Sequence, residues 1–243
     1  MKGEEKLISH KGEDMTIRQK RTLIYFVEAT KQILQRDGFH GLTIRTIAEQ
    51  AGYNSATLYH YFADLDELIL FASVGFLRDY VMLLHKQITP QMTAMEKYHT
   101  IYRCFNEIAF QYPEIFYNMF FGPRSGNLEM VIKIYYQVLY PEELEGIPDA
   151  STRRMLLRGT LFDRDMIIMD ELVNEGTLQK DRVPLLLDAI ISLHERYIHQ
   201  ACLLKGTLDI KAHEQRFEKT FDFILDLAVH VRSEDSSFSG HHK

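Results

Sequence analysis

Residues Leu42–Phe62 read LTIRTIAEQAGYNSATLYHYF. Thr43 suits the N-cap of a short helix, where a threonine oxygen accepts one of the first free N–H groups. Ile47 and Ala51 then lie one turn apart on the inner face, and Ala48 is small enough for a second helix to approach. Gly52, four residues after Ala48, can take the left-handed backbone that a sharp helix-to-helix turn requires. Ser55 is the expected cap of the second helix, and Leu58, ten residues after Ala48, points back into the angle. This is the packing logic of a helix-turn-helix, though an ordinary tight helical corner shares it.

Working outward, the punctuation favours helices throughout, and no alternating run bounded by turns suggests a strand. A helix is expected from near Thr16 to Gly38, with Phe26, Val27, Thr30, Ile33 and Leu34 as its inner stripe. Asp64 with Glu67 predicts a capped helix running to about Gln87. Thr89-Pro90 predicts the start of the next, ending near Pro113, which opens a short aromatic helix closed by Gly122-Pro123. Further helices are expected over 126–140, 150–175 (ended by Gly176), 182–204 and 209–231. Residues 1–15 read as a flexible arm and 233–243 as a flexible tail whose two adjacent histidines are a faint metal tract at most.

Composition narrows the function classes. With 46% hydrophobic and 26% charged residues, the 243-residue chain can bury a core, which excludes wholesale disorder. No apolar run reaches the roughly 18 residues of a spanning helix. The opening MKGEEKLISHKGEDM lacks the apolar stretch of a secretory signal. Two distant cysteines, Cys104 and Cys202, with no CxxC, suit a reducing compartment. The expectation is a cytoplasmic protein without membrane contact. The net charge of −6 is uneven: residues 16–62 carry six cations against three acids, a balance of +3 that leaves −9 for the remainder. A basic head on an acidic body is compatible with a local footprint for DNA.

The segment from about Arg18 to Leu70 resembles the N-terminal domain of the TetR/AcrR family of bacterial transcriptional regulators. The matching pieces, in order, are Gly38-Phe39, Leu42-Thr43, Ile47-Ala48, Ala51-Gly52, Thr57-Leu58-Tyr59-His60-Tyr61-Phe62 and Leu68. The resemblance implies an all-α protein. Residues 16–63 would be a three-helix helix-turn-helix domain, and 64–232 a larger helical domain for ligand binding and dimerisation. It implies a homodimer that lays its recognition helices in successive major grooves of a near-palindromic double-stranded operator. Thr43 is then a phosphate contact, and Arg45 reads guanine or holds a phosphate. Tyr53, Asn54, Ser55 and Ala56 lie at the exposed start of the recognition helix, and Thr57, Tyr59 and His60 match backbone- or base-contacting positions. Leu58 and Phe62 are core. One departure stands out: where most relatives carry a phosphate-gripping lysine, this chain has Leu65, beside Asp64. Lys20, Arg21 and the arm's Lys6 and Lys11 are the candidates to compensate.

The body is rich in aromatics between Phe105 and Tyr140. Aromatic stripes are ordinarily core, but the resemblance implies an inducer pocket. The expected lining is Phe105, Phe116, Phe120, Tyr136, Phe162 and Met166, with Asp165 as a polar anchor for a small, largely apolar inducer. The last two helices would form the dimer's four-helix bundle through Leu186, Leu187, Ile190, Ile191, Leu193, Tyr197 and Leu204 on one and Phe217, Phe221, Ile224, Leu225 and Ala228 on the other. No cofactor, metal ligand set or catalytic residue is expected. Two alternatives remain: a helix-turn-helix module that docks a protein, and a helical-bundle metal enzyme, for which Glu96-Lys97-Tyr98-His99 is a lone carboxylate–histidine match.

Overall fold

Thr16 opens helix α1 (Ile17–Asp37) with a reciprocal cap: its hydroxyl accepts from the Gln19 backbone while the Gln19 side chain accepts from Thr16 N–H. The computed structural model describes residues 15–147 and 149–230. The expected tail, Lys6, Lys11 and the arm apart from Met15 lie outside the described residues. The inner stripe of α1 is buried as predicted, and Gly38 ends the helix with φ of 65°. A 3₁₀ turn (Gly38–Gly41) leads to α2 (Ile44–Ala51), and Gly52, with φ of 76°, turns the chain into α3 (Ser55–Leu58). Phe62 sets its edge against Phe26 of α1 and Phe71 of α4 (Leu65–Val74), so α4 completes the head's core.

The body follows as α5 (Leu77–Gln87), α6 (Ala94–Ala109), α7 (Pro113–Phe121), α8 (Leu128–Ile134), α9 (Glu142–Glu145), α10 (Ala150–Leu156), α11 (Leu161–Asn174), α12 (Val183–Leu203) and α13 (Ile210–His230). No strand occurs among the described residues. The buried apolar residues of head and body form one continuous core. The stretch Leu65–Gln87 has the length and apolar content to cross a membrane, which the search for an uninterrupted apolar run missed; it lies mostly buried within the chain.

Three expected elements differ. The helix expected over Asp64–Gln87 breaks at Gly75–Phe76 into α4 and α5. A Cβ on Gly75 would stand 3.1 Å from both Ala72 O and Lys31 Cδ, so the backbone at the break lies close against α1. The helix expected at Thr89-Pro90 starts instead at Thr93, because Thr93 and Glu96 cap each other reciprocally. The long helix expected over 150–175 is two, α10 and α11, parted at Gly159. A Cβ there would stand 2.6 Å from the Glu129 backbone nitrogen, so the connection passes directly over α8, and Thr160 re-caps the chain. The expected 126–140 helix is α8 preceded by a 3₁₀ turn and continued by a π turn over Tyr135–Leu139.

Candidate nucleic-acid interface

The head is built by local caps. Thr43 accepts from Thr46 N–H at 3.0 Å and Thr46 reciprocates, so the Thr43 hydroxyl helps fix the start of α2. Ile47 and Ala48 are buried beneath it, while Thr43, Arg45 and Thr46 are exposed. Arg45 Nε lies 2.9 Å from the Glu49 carboxylate in a fully solvated pair one turn long, whose net worth in water is small.

The second helix is capped by Asn54, not by the expected Ser55. Asn54 Oδ1 accepts from both Thr57 N–H and Thr57 Oγ1 at 2.9 Å. Asparagine one residue earlier supplies the carbonyl that reaches the third helical N–H, so Ser55 becomes the first helical residue. Asn54, Ala56, Tyr59 and His60 are exposed, Ser55 and Thr57 half-buried, and Leu58 and Phe62 buried as predicted. Tyr53 plays a second part that the spacing did not show. Its ring lies 5.3 Å from that of Phe26, and its hydroxyl meets Thr22 Oγ1 at 3.2 Å, so it locks the motif onto α1. This sets the Tyr25 ring 6.2 Å from that of Tyr53, and Arg18 and Arg21 are exposed on the same helix as Tyr25. Sequence reading named Arg21 but passed over Arg18 and Tyr25; their spacing at i, i+3 and i+7 on one helix face was the available signal.

Leu65, at the position of the absent lysine, is half-buried and packed against the core. Asp64 caps α4 through Glu67 N–H and is ion-paired with Arg124 from the segment after α7, so its charge serves as a tie between head and body. A second tie joins the Tyr140 hydroxyl to Glu28 of α1 at 2.8 Å, and within the body the Lys205–Glu114 pair lies against Gly38 of the head.

In the body, Phe105, Phe116, Phe120 and Tyr136 are buried together, with Phe105 5.3 Å from Phe116 and 5.4 Å from Phe120. Met166 is half-buried. Phe162 departs from expectation: it is 45% exposed, on the outer face of α11. Asp165 is buried and accepts from Tyr102 at 2.6 Å and Tyr98 at 3.2 Å. Burial pushes its carboxyl up to about 7, against the downward pull of the two phenols. The residue that sequence reading missed is its neighbour, Arg164, whose buried cation the charged run Asp163-Arg164-Asp165 concealed. A cleft of about 280 Å³ opens away from this cluster, beside Val81, Met82, His85, Glu143 and Ile147. Glu96 is spent on capping α6 and His99 faces Asp222 of α13 at 3.4 Å, so the carboxylate–histidine match serves packing.

The last two helices correct the expected seam. Leu186, Leu187, Ile190, Leu193, Tyr197, Phe217, Phe221 and Leu225 are buried within the single chain. Ile191, Ile224 and Ala228 are half-buried, and only Leu204 of the expected set is exposed. The apolar residues turned outward are Leu185 (76% exposed), Leu203, Phe223 (62%) and Leu227. A helical stripe that serves the chain's own core leaves its neighbours one position round for any second copy.

The comparisons with known proteins agree with this geometry. Residues 26–72 match the family model of bacterial regulatory proteins of the tetR family. No curated protein matches the chain in sequence. Among solved structures, it is similar to Thermus thermophilus FadR, a TetR-family transcriptional repressor in complex with lauroyl-CoA. That likeness has a TM-score of 0.54 and 16% identity over 88% of this chain and 97% of the other. It is also similar to the fatty acid degradation regulator FadR of Bacillus halodurans, with a TM-score of 0.51 and 15% identity over 84% and 94% of the two chains. Residues 26–72 thus match the DNA-binding head of the tetR family of bacterial regulatory proteins, and the chain as a whole shares its fold with solved TetR-family regulators.

Proposed function

We propose that two copies of this chain repress transcription by binding a near-palindromic operator, and that a small, largely apolar inducer held in the body releases them. One observation carries the DNA reading. Thr43, Arg45, Asn54, Ala56, Tyr59 and His60 are exposed on two short helices whose opposite faces, Ile47, Ala48 and Leu58, are fixed in the core. Thr43 holds a phosphate, Arg45 leaves its solvated pair with Glu49 for a base or phosphate, and Asn54, Ser55, Ala56 and Thr57 meet base edges or backbone. Tyr53 positions the helix. Arg18 and Arg21 supply the charge that Leu65 does not.

Dimerisation uses Leu185, Leu203, Phe223 and Leu227, the outward apolar residues of α12 and α13. A two-fold pairing of these helices sets the separation of the heads, and half-sites lie about 34–36 Å apart or multiples of that. The ligand reading is supported by the aromatic cluster at Phe105, Phe116, Phe120 and Tyr136, with Asp165 and Met166 on the neighbouring helix. It is supported also by the solved structure of similar fold that holds lauroyl-CoA, whose acyl chain is apolar. Inducer and operator must each favour a different head spacing, since a ligand shifts an equilibrium only by its differential affinity. The ties at Asp64–Arg124 and Glu28–Tyr140 are where the body would act on the head.

The test is selection of bound sequences from random duplex DNA, at low salt and without ligand. Enrichment of a near-palindrome is the expected result. Enrichment of no sequence would instead favour a head that docks a protein.

A further inference from the structure

Two buried cations of the body are treated in opposite ways. Lys97, buried in α6, donates to Asp149 at 3.1 Å, Glu171 at 2.8 Å and Ser151 at 3.2 Å, so its charge is answered by two carboxylates. Arg164 of α11, only 2% exposed, is treated differently. Its Nε donates to Arg158 O at 2.8 Å and its Nη2 to Leu156 O at 3.4 Å, both neutral carbonyls. Its Nη1 is buried without a partner. The adjacent Asp165 turns away to Tyr98 and Tyr102. A buried cation without a counter-charge is costly, and buried charges in proteins are ordinarily paired.

The other unpartnered buried atoms of this region surround the same aromatic cluster. The Tyr136 hydroxyl is one, and Arg164 and Tyr136 are near enough to shift each other's titration. The Arg164 guanidinium lies 5.1 Å from the Phe120 ring, Phe120 lies 5.4 Å from Phe105, and Phe105 lies 4.9 Å from His194. At that far end Asn106 Nδ2 and His194 Nδ1 are also unpartnered, although His194 Nε2 meets Asn106 Oδ1 at 2.8 Å. Three free groups, at Arg164, Tyr136 and Asn106, can donate, against one free carboxylate oxygen, Glu143 Oε2, near Tyr136, so donors outnumber acceptors around the cluster. A surface cleft of about 300 Å³ beside His99, Tyr102 and Phe217 lies at the Asn106 end of the cluster.

We infer that the body's ligand is an amphipathic carboxylate, with its anionic head on Arg164 Nη1 and the Tyr136 hydroxyl and its apolar part against Phe105 and Phe120. This rests on the reading of the body as the ligand-holding part, and it moves the polar anchor from Asp165 to Arg164. Asp165 Oδ2 already accepts from two phenols, whereas the guanidinium keeps an unpartnered Nη1. A cationic ligand would face an uncompensated like charge, and a neutral one would leave that charge unanswered.

The full-length protein tests this with matched series that differ only in head group: 4-phenylbutyrate, 4-phenylbutanol and 4-phenylbutylamine, and decanoate, decanol and decylamine. Binding is followed by thermal shift and calorimetry, and then by release of the selected operator. In at least one series the carboxylate should bind tenfold or more tighter than the alcohol, with no response to the amine. Arg164→Met should erase the preference of carboxylate over alcohol. Because that change also removes the bonds to Arg158 and Leu156, Tyr136→Phe provides the milder variant. It deletes only an unpartnered oxygen, so it should leave the ligand-free Tm unchanged and weaken carboxylate binding several-fold. Equal binding of alcohol and carboxylate, or a preference that survives both variants, overturns the anionic head while leaving a ligand-holding body. Carboxylates that bind without releasing DNA keep the site and remove its role as an inducer site. Binding by no member of either series overturns the inference and counts against the inducer reading as well.

Discussion

In the head and its supporting helix, the buried polar side chains are Thr22, Thr30 and Ser73, and each hydroxyl donates to the carbonyl one turn back, Arg18, Phe26 and Ile69 respectively. Each of these hydroxyls is satisfied by its own helix, and Thr22 also meets the Tyr53 hydroxyl. In the body, the buried polar side chains include Lys97, Asn106, Arg164, Asp165 and His194, which reach between helices or find no partner. Burial alone pushes His194 down to about 3, so it is neutral at physiological pH. The difference teaches what each part can tolerate. A head whose buried hydroxyls each find a carbonyl one turn back holds those groups satisfied with little help from the body. A body whose polar groups depend on one another, or on something absent, can change state when a ligand supplies what is missing.

The comparison is broken most directly at α12 and α13. Leu187→Glu puts a charge into the body's own core and should cost several kcal/mol, read as loss of cooperative melting. Phe223→Glu, with Leu185→Glu, changes only outward residues. It should leave helicity intact by circular dichroism, yield a monomer by sedimentation, and weaken operator binding by a factor on the order of 10² or more as the linkage between two heads is lost. An intact dimer would place the seam elsewhere. Next in size, Arg45→Ala should cost about 1–3 kcal/mol of operator affinity and relax preference at one base position per half-site, with no change in Tm. Uniform weakening over all sequences, measured by anisotropy, would make Arg45 a phosphate contact.

The body's buried carboxyl makes a pH prediction. Asp165 titrates at about 7 in the fold against an ordinary value near 4 in the unfolded chain. Between those values the folded protein holds a proton that the unfolded chain has released. The contribution of this group is therefore complete below pH ~4 and lost as pH rises through ~7, at about 1.4 kcal/mol per pH unit within the window. Asp165→Asn should flatten that part of the stability–pH curve from denaturant titrations, and an unchanged curve would mean that another group, such as Glu143, dominates. The smallest expected effect returns to the head: Leu65→Lys should steepen the log–log salt dependence of DNA binding by up to about one unit per protomer. The half-buried stem can stay on the core while the amine reaches out. An unchanged slope would show that this position does not face phosphate.

The two parts also differed in how far they could be read in advance. The head's elements are fixed by signals a few residues apart: the start near Thr16, Gly38, Thr43, Gly52. All of these act as the sequence suggested, and the misplaced cap at Ser55 erred by one residue toward Asn54. The body's breaks at Gly75 and Gly159 arise where another helix's backbone or side chain arrives from far along the chain, and no local pattern announces Lys31 or Glu129 as the cause. The Thr89-Pro90 start failed for a local reason, since Thr93-x-x-Glu96 was the stronger signal and lay four residues further on. Apolar periodicity found the inner faces of α12 and α13 and could not say that they were inner. The unanswered charge of Arg164 is a property of the packed interior and has no signature in one dimension.

The interruption at Gly75–Phe76 has a mechanical meaning. An unbroken rod from Leu65 to Gln87 would transmit a twist at either end to the other at full amplitude. Split there, it becomes two levers on a bearing whose clearance is set by Lys31 of α1, the Ala72 carbonyl and the Tyr135 hydroxyl. One wall of that bearing belongs to the head and another to the body, so a single methyl group at residue 75 would press on both at once. Gly75→Ala is therefore a wedge that resets the rest angle between the two levers, and it does so without touching the DNA-facing helices.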